Sequence, residues 1–179
     1  SMLAALTVAS DGSSIARLRL DDENLQGEYT LPDEVILDIS MQPDGGVVGI
    51  SQNRVLAVDT SGNLKYEYIA ENARISLYAF SDNGSVLIEE SGYASGQDAR
   101  LVFVGTGGET ASCDVTENAV AAALSNGRIA VCFDGRLVFY GADMSELSAF
   151  DIEEGVKTVV IRSDGAAVAV FEDAMRVYK

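Results

Sequence analysis

Four tight turns punctuate this 179-residue sequence at a nearly constant interval, and that interval constrains the fold more than any other feature. The turn glycines Gly45, Gly84, Gly127 and Gly165 are 39, 43 and 38 residues apart. Each follows an Asp or Asn (Asp44, Asn83, Asn126, Asp164), the pairing a tight hairpin turn favours because both positions accept positive φ at low cost. Between the turns lie short apolar segments with no sustained 3.6-residue period, so the chain reads as antiparallel strands with minimal helix.

The clearest unit comprises residues 35–41, 47–51, 54–59 and 64–69, four strands joined by turns. A second copy uses 74–80, 85–90, 100–105 and 109–115. A third uses 119–124, 128–133, 136–140 and 147–152. A fourth begins with 156–162, 166–171 and 175–178 and stops one strand short. Residues 3–31 align with the second to fourth strands of such a unit. Four strands per period of about 40 residues predict β-propeller blades. The expected fold is all-β: a partial or irregular β-propeller of about 4–5 four-stranded antiparallel blades, the first and last incomplete. It occupies residues 1–179 as one domain or a portion of one, with repeats at 3–31, 35–69, 74–115, 119–152 and 156–178. Two ends that do not complement each other point either to an irregular ring or to further blades upstream of Met2.

Charge and composition narrow the chemistry. Asp plus Glu number 28 against 12 Lys plus Arg, a formal charge of −16, which disfavours a nucleic-acid partner. There is no His and no Trp, so the commonest general base and neutral metal ligand are missing. No apolar run of about 18 residues exists to insert into a membrane, and residues 2–8 lack the basic leader and cleavage pattern of a signal peptide. Cys113 and Cys132 fit no zinc spacing and read as buried thiols, with a disulfide as the alternative. No metal site or cofactor is expected.

Candidate site residues are few. Asp38 interrupts an apolar strand expected nearest the central axis, where it either lines the channel, pairs with a cation such as Arg74 or Arg162, or binds a ligand. Residues 91–99 read as an insertion between the second and third strands of their repeat; Tyr93 offers an aromatic contact and Gln97 and Asp98 polar ones. The Asp-Gly turns supply too few converging oxygens for calcium. The acidic clusters at 21–23, 89–90 and 153–154 read as solvated surface charge, and no catalytic residue is assigned.

The four-strand repeat with its Asp-Gly or Asn-Gly turn resembles bacterial propellers of the quinoprotein-like and WD-repeat-like superfamily. Its texture is closest to membrane-anchored propellers of unknown function from Gram-positive bacteria. The Gly-His and Trp-Asp dipeptides of WD repeats, and the tryptophan docking motifs of quinone-dependent dehydrogenases, are absent. The resemblance implies an extracytoplasmic domain held at a bacterial membrane by a segment outside this sequence. The functional expectation is a non-catalytic scaffold that binds a protein or cell-envelope ligand through its loop face. One alternative is a carboxylate-based hydrolase or lyase in the central channel. Another is an assembly element completing a larger propeller, with a homodimer or strand exchange through unpaired blade edges at 3–9 and 174–179.

Overall fold

The computed structural model describes residues 2–10, 12–19, 25–91 and 98–179, and every helix or strand in them is a β-strand. The chain forms two compact units, Ser1–Glu71 and Asn72–Lys179. The first holds β1 (Met2–Ala9), β2 (Gly12–Arg19) and β3 (Leu25–Pro32) in one sheet. Its second sheet is β4 (Asp38–Met41), β5 (Val47–Ile50), β6 (Arg54–Val58) and β7 (Leu64–Ile69). The second unit holds three sheets. These are β8 (Arg74–Ser81), β9 (Gly84–Ser91), β10 (Asp98–Gly105) and β11 (Thr110–Val115); then β12 (Ala119–Ser125), β13 (Arg128–Phe133), β14 (Arg136–Gly141) and β15 (Glu146–Asp151); then β16 (Thr158–Ile161), β17 (Ala167–Val170) and β18 (Met175–Tyr178). Within each sheet, neighbours in sequence are neighbours in space and antiparallel. In chain order, three four-stranded meanders follow one three-stranded sheet and precede another, as the turn spacing predicts. No helix among the described residues is long and apolar enough to cross a membrane.

Two-sided burial explains why the middle strands are apolar throughout. In β13 and β14, Ile129, Val131, Phe133, Val138 and Tyr140 pack with Val86, Ile88, Leu101 and Phe103 of the β8–β11 sheet. The alternate residues Ala130, Cys132, Leu137 and Phe139 pack with Val159, Ala167, Ala169 and Phe171 of the last sheet. A period-2 strand can serve two interfaces only if both of its faces are apolar. The fourth strands β7 and β15 alternate between exposed and half-buried, which accommodates Lys65, Glu67 and Glu146. In the first unit Ile15, Leu31, Ile36, Val47, Leu56 and Val58 form the core between its two sheets. A side chain at Gly62 (φ +85°) would sit 2.5 Å from the Glu28 carbonyl oxygen, so glycine there lets the β6–β7 turn approach β3.

Some boundaries differ from those expected. The first strand of the second sheet begins at Asp38, not residue 35, although Leu37 N–H still donates to Ile50 C=O (2.6 Å). Ile36 turns into the core while Val35 and Leu37 stay exposed. The β9–β10 ladder runs out to an Asp98–Ser91 pair, so the connection is residues 92–97, shorter than the expected 91–99 insertion.

An ion-pair clamp recurs. The third strand opens on or next to an arginine that reaches a glutamate preceding the first strand: Arg54–Glu34 (2.8 Å), Arg136–Glu117 (2.8 Å) and Arg176–Glu153 (2.7 Å). The glutamate side chains are 26%, 40% and 65% exposed in that order. Glu34 also accepts from the buried Ser51 hydroxyl (2.7 Å). Burial alone would lower the Arg54 guanidinium's pKa, but hydrogen bonds to Glu34 and Glu67 outweigh it and the net shift is upward. Water screens the outer pairs, so their worth falls as exposure rises.

Turn aspartates act as caps. Asp44 accepts from Gly46 N–H (2.9 Å) and Lys65 Nζ (2.7 Å), which together hold its carboxyl below the ordinary 3.8.

Replacing Glu34 with Gln is expected to cost about 1–3 kcal/mol in urea unfolding by weakening the charged acceptor for Arg54. Glu153→Gln is expected to leave the midpoint unchanged. Because the folded Asp44 carboxyl is shifted down, its stabilisation is complete above 3.8 and disappears as pH falls through the folded value. Asp44→Asn is therefore expected to lessen the stability lost below pH 3.8, measured by unfolding across an acid series.

Candidate functional site

In the second unit the first strands β8, β12 and β16 lie side by side. β12 is alanine-rich through residues 121–123, which keeps its surface low between its neighbours. The result is an open groove of about 480 Å³ across the three strands at their turn ends. Phe80 and Val160 give it apolar walls, while Asp82, Asn83, Ser125 and Asn126 supply carboxylate, amide and hydroxyl groups. Asn126 (φ 50°) and Gly127 (φ 72°) both take the left-handed conformation of a two-residue hairpin turn, which fixes the groove's rim. Just past that rim the Arg128 guanidinium lies 4.0 Å above the Phe139 ring.

The groove's lining is poor in ionisable groups. Its lining contains one ionisable side chain, Asp82. Glycoside hydrolysis by two carboxylates needs a second acid about 5 to 9 Å away, and the groove lining does not supply one. Ser81 and Ser125 have hydroxyls but no base in the lining to activate them. Among the described residues no group of three or more His, Cys, Asp or Glu is arranged to hold a metal ion.

The sequence-derived candidates fall elsewhere. Asp38 is exposed at the start of β4 in the first unit, and its Oδ1 accepts from Ile39 N–H (2.8 Å). Arg74, one cation proposed for it, binds Glu90 (3.0 Å), and Arg162, the other, lies 3.4 Å from Asp164. Tyr93 and Gln97 lie outside the described residues. Asp98 is a strand residue opposite Ser91, at the end of its sheet remote from the groove, because successive connections of a meander alternate ends.

Glu89 corrects the surface-charge reading of the 89–90 cluster. It is 3% exposed, and Arg100 Nη2 donates to its Oε2 at 2.9 Å while its Oε1 has no hydrogen-bond partner. Only the cross-strand register, which sets Arg100 opposite Glu89, explains a buried carboxylate there. Both cysteines are free thiols. Burial pushes Cys132 up to about 12; burial and then the neighbouring Asp114 raise Cys113.

No protein-family model matches this sequence, and no curated protein matches it. Solved structures do. Hsv2 from Kluyvelomyces marxianus superposes with a TM-score of 0.72 at 10% identity, over 98% of this chain and 56% of that one. The Dos1 propeller gives 0.63 at 14% identity, over 99% and 52%. BBS1N, solved in complex with ARL6DN, gives 0.65 at 16% identity, over 98% and 60%. The fold is a β-propeller, and the chain spans a little over half the length of these structures. At such identities the likeness is one of fold.

With burial pushing its thiol up to about 12, Cys132 is expected to resist iodoacetamide until the chain unfolds. Mass spectrometry of labelled native and urea-unfolded protein measures this; rapid native labelling of Cys132 would contradict the burial.

Proposed function

We propose that this chain is a non-catalytic β-propeller scaffold that binds a protein partner or a cell-envelope ligand. The groove over β8, β12 and β16 carries this reading. It combines two apolar walls with amides and hydroxyls on a rigid rim, a composition suited to recognition. BBS1N, a solved structure of like fold, is itself in a complex with another protein, which supports a protein as the ligand class. Tyr93, Gln97 and Asp98, and Asp38 in the first unit, are further proposed contact points. The resemblance to membrane-anchored propellers supports an extracytoplasmic location, with an anchor outside this sequence.

Val160→Arg and Asn83→Arg are expected to reduce partner capture at least tenfold without shifting the melting temperature. Capture is read by cross-linking in extract of the source cells, and unchanged capture by both variants would refute the groove. The rival reading, a carboxylate-based hydrolase or lyase, has Asp82 as its one groove carboxylate. Turnover of an oligosaccharide panel that is abolished in Asp82→Asn would favour it.

A specific observation supports assembly as a second reading. The third strands β6 and β14 of the complete sheets are almost wholly buried, whereas β18, the last strand of its three-stranded sheet, reads exposed at three of four positions. Copies pairing through the edges of β1 and β18 would cover such strands.

A further inference from the structure

One arginine stands apart from the others. Arg54, Arg74, Arg100, Arg136, Arg162 and Arg176 each pair with a carboxylate, whereas Arg128 pairs with none among the described residues. With 28 acidic residues in the chain, the reason is not a shortage of acid. The repeat itself does not need a cation there. Arg128 is the residue of β13 next to the turn, where it pairs with Ser125. In the β8–β11 sheet the corresponding residue is Gly84, paired with Ser81. In two other sheets it is Gly46, whose C=O accepts from Gln42 N–H (2.8 Å), and Ala166, whose C=O accepts from Arg162 N–H (2.8 Å). Glycine or alanine thus stands where this sheet has arginine, so turn and ladder form without a long side chain at that place.

The guanidinium is held in one orientation. The Phe139 ring beneath it is fully enclosed and meets Phe150 edge-on, with centroids 6.1 Å apart. A Cβ on Gly165 would lie 3.2 Å from Arg128 Nη1, so the glycine of the β16–β17 turn leaves the guanidinium its space. Nε is buried without a partner, which closes the side-on edge to a ligand. Nη1 and Nη2 remain, a pair of donors whose spacing matches the two oxygens of one carboxylate. Beside them Gly127 has nothing within 4 Å of where its Cβ would stand, so the approach is open. A chain at −16 repels a phosphate ester, at about −1.5 to −2, more strongly than a singly charged carboxylate. We propose that Arg128 is a recognition site for a carboxylate ligand, seated end-on at Nη1 and Nη2 beside the β12–β13 and β16–β17 turns. A peptide's chain terminus or an acidic side chain would supply such a group. The site lies outside the groove lining and does not rest on the groove.

Heteronuclear NMR of the intact chain tests the assignment by following the Arg128 Nε–H and Gly127 N–H signals. The probes are N-acetylglycine, whose carboxylate ends a main chain, N-acetylaspartic acid N-methylamide, whose carboxylate is a side chain, and inorganic phosphate. Both signals are expected to shift saturably with a carboxylate probe, at a Kd of about 1–10 mM, and the tighter of the two identifies the source. Arg128→Gln, read at Gly127 N–H, is expected to weaken binding at least tenfold. Arg128→Lys keeps the charge but not the paired donors, and is expected to weaken it at least fivefold. Both variants are expected to keep the wild-type circular dichroism, and the wild-type titration decides the matter should either fail to fold. Val160→Arg and Asn83→Arg are expected to leave carboxylate binding unchanged, so loss of the groove reading and loss of this one are separate results. No saturable shift with either carboxylate, or tighter binding of phosphate, would overturn the site. Undiminished binding by folded Arg128→Lys would overturn the end-on pairing.

Discussion

Everything in this fold depends on burying both sides of the same strand. A strand with one wet face needs only alternating hydrophobicity, but β13 and β14 are enclosed on both faces. Full burial of each valine, leucine or phenylalanine there is worth about 1.5–3 kcal/mol. The arrangement has a geometric requirement, since sheets with side chains between them pack only where sizes match. Ala130 and Cys132 lie on the face that also holds Phe139, while Ile129, Val131 and Phe133 fill the other. Large residues opposite small ones let adjoining sheets approach without voids.

Polar groups were placed around that core in a consistent order. The clamp glutamates stand ahead of the first strand and their arginines at the start of the third, so each pair fastens the entry of a sheet to its buried centre. Turn aspartates do similar work locally: Asp59 accepts from Ser61 N–H (2.7 Å) and Asn63 N–H (2.9 Å), and Asp143 from Ser145 N–H (3.1 Å). A few of the acidic residues thus serve the backbone of turns. The groove's polar groups also come largely from turns, held in place by strands that cannot shift without opening the core.

The propeller architecture was legible because its signal is local and repeated. Gly45, Gly127 and Gly165 stand in the left-handed conformation (φ 82°, 72° and 82°), as Asx-Gly spacing implies. β7, with Lys65, Tyr66 and Glu67, alternates between exposed and half-buried positions as an outer strand does. The candidate site was far less legible. Phe80, Asn126 and Val160 are distant in sequence and meet only because three first strands lie side by side. Glu89 looks like surface charge until the register sets Arg100 across from it, eleven residues away. β9 ends one residue later and β10 begins two residues earlier than expected, which moves Ser91 and Asp98 from an expected loop into a ladder, and apolar patterning does not resolve such shifts.

The graded clamps carry a consequence for how the molecule comes apart. The three pairs are equally short, but exposure to water rises from Glu34 through Glu117 to Glu153, which leads into a three-stranded sheet. Thermal fluctuations will release amide protons from β16–β18 earliest, and within the second unit fraying will travel inward, one module after another.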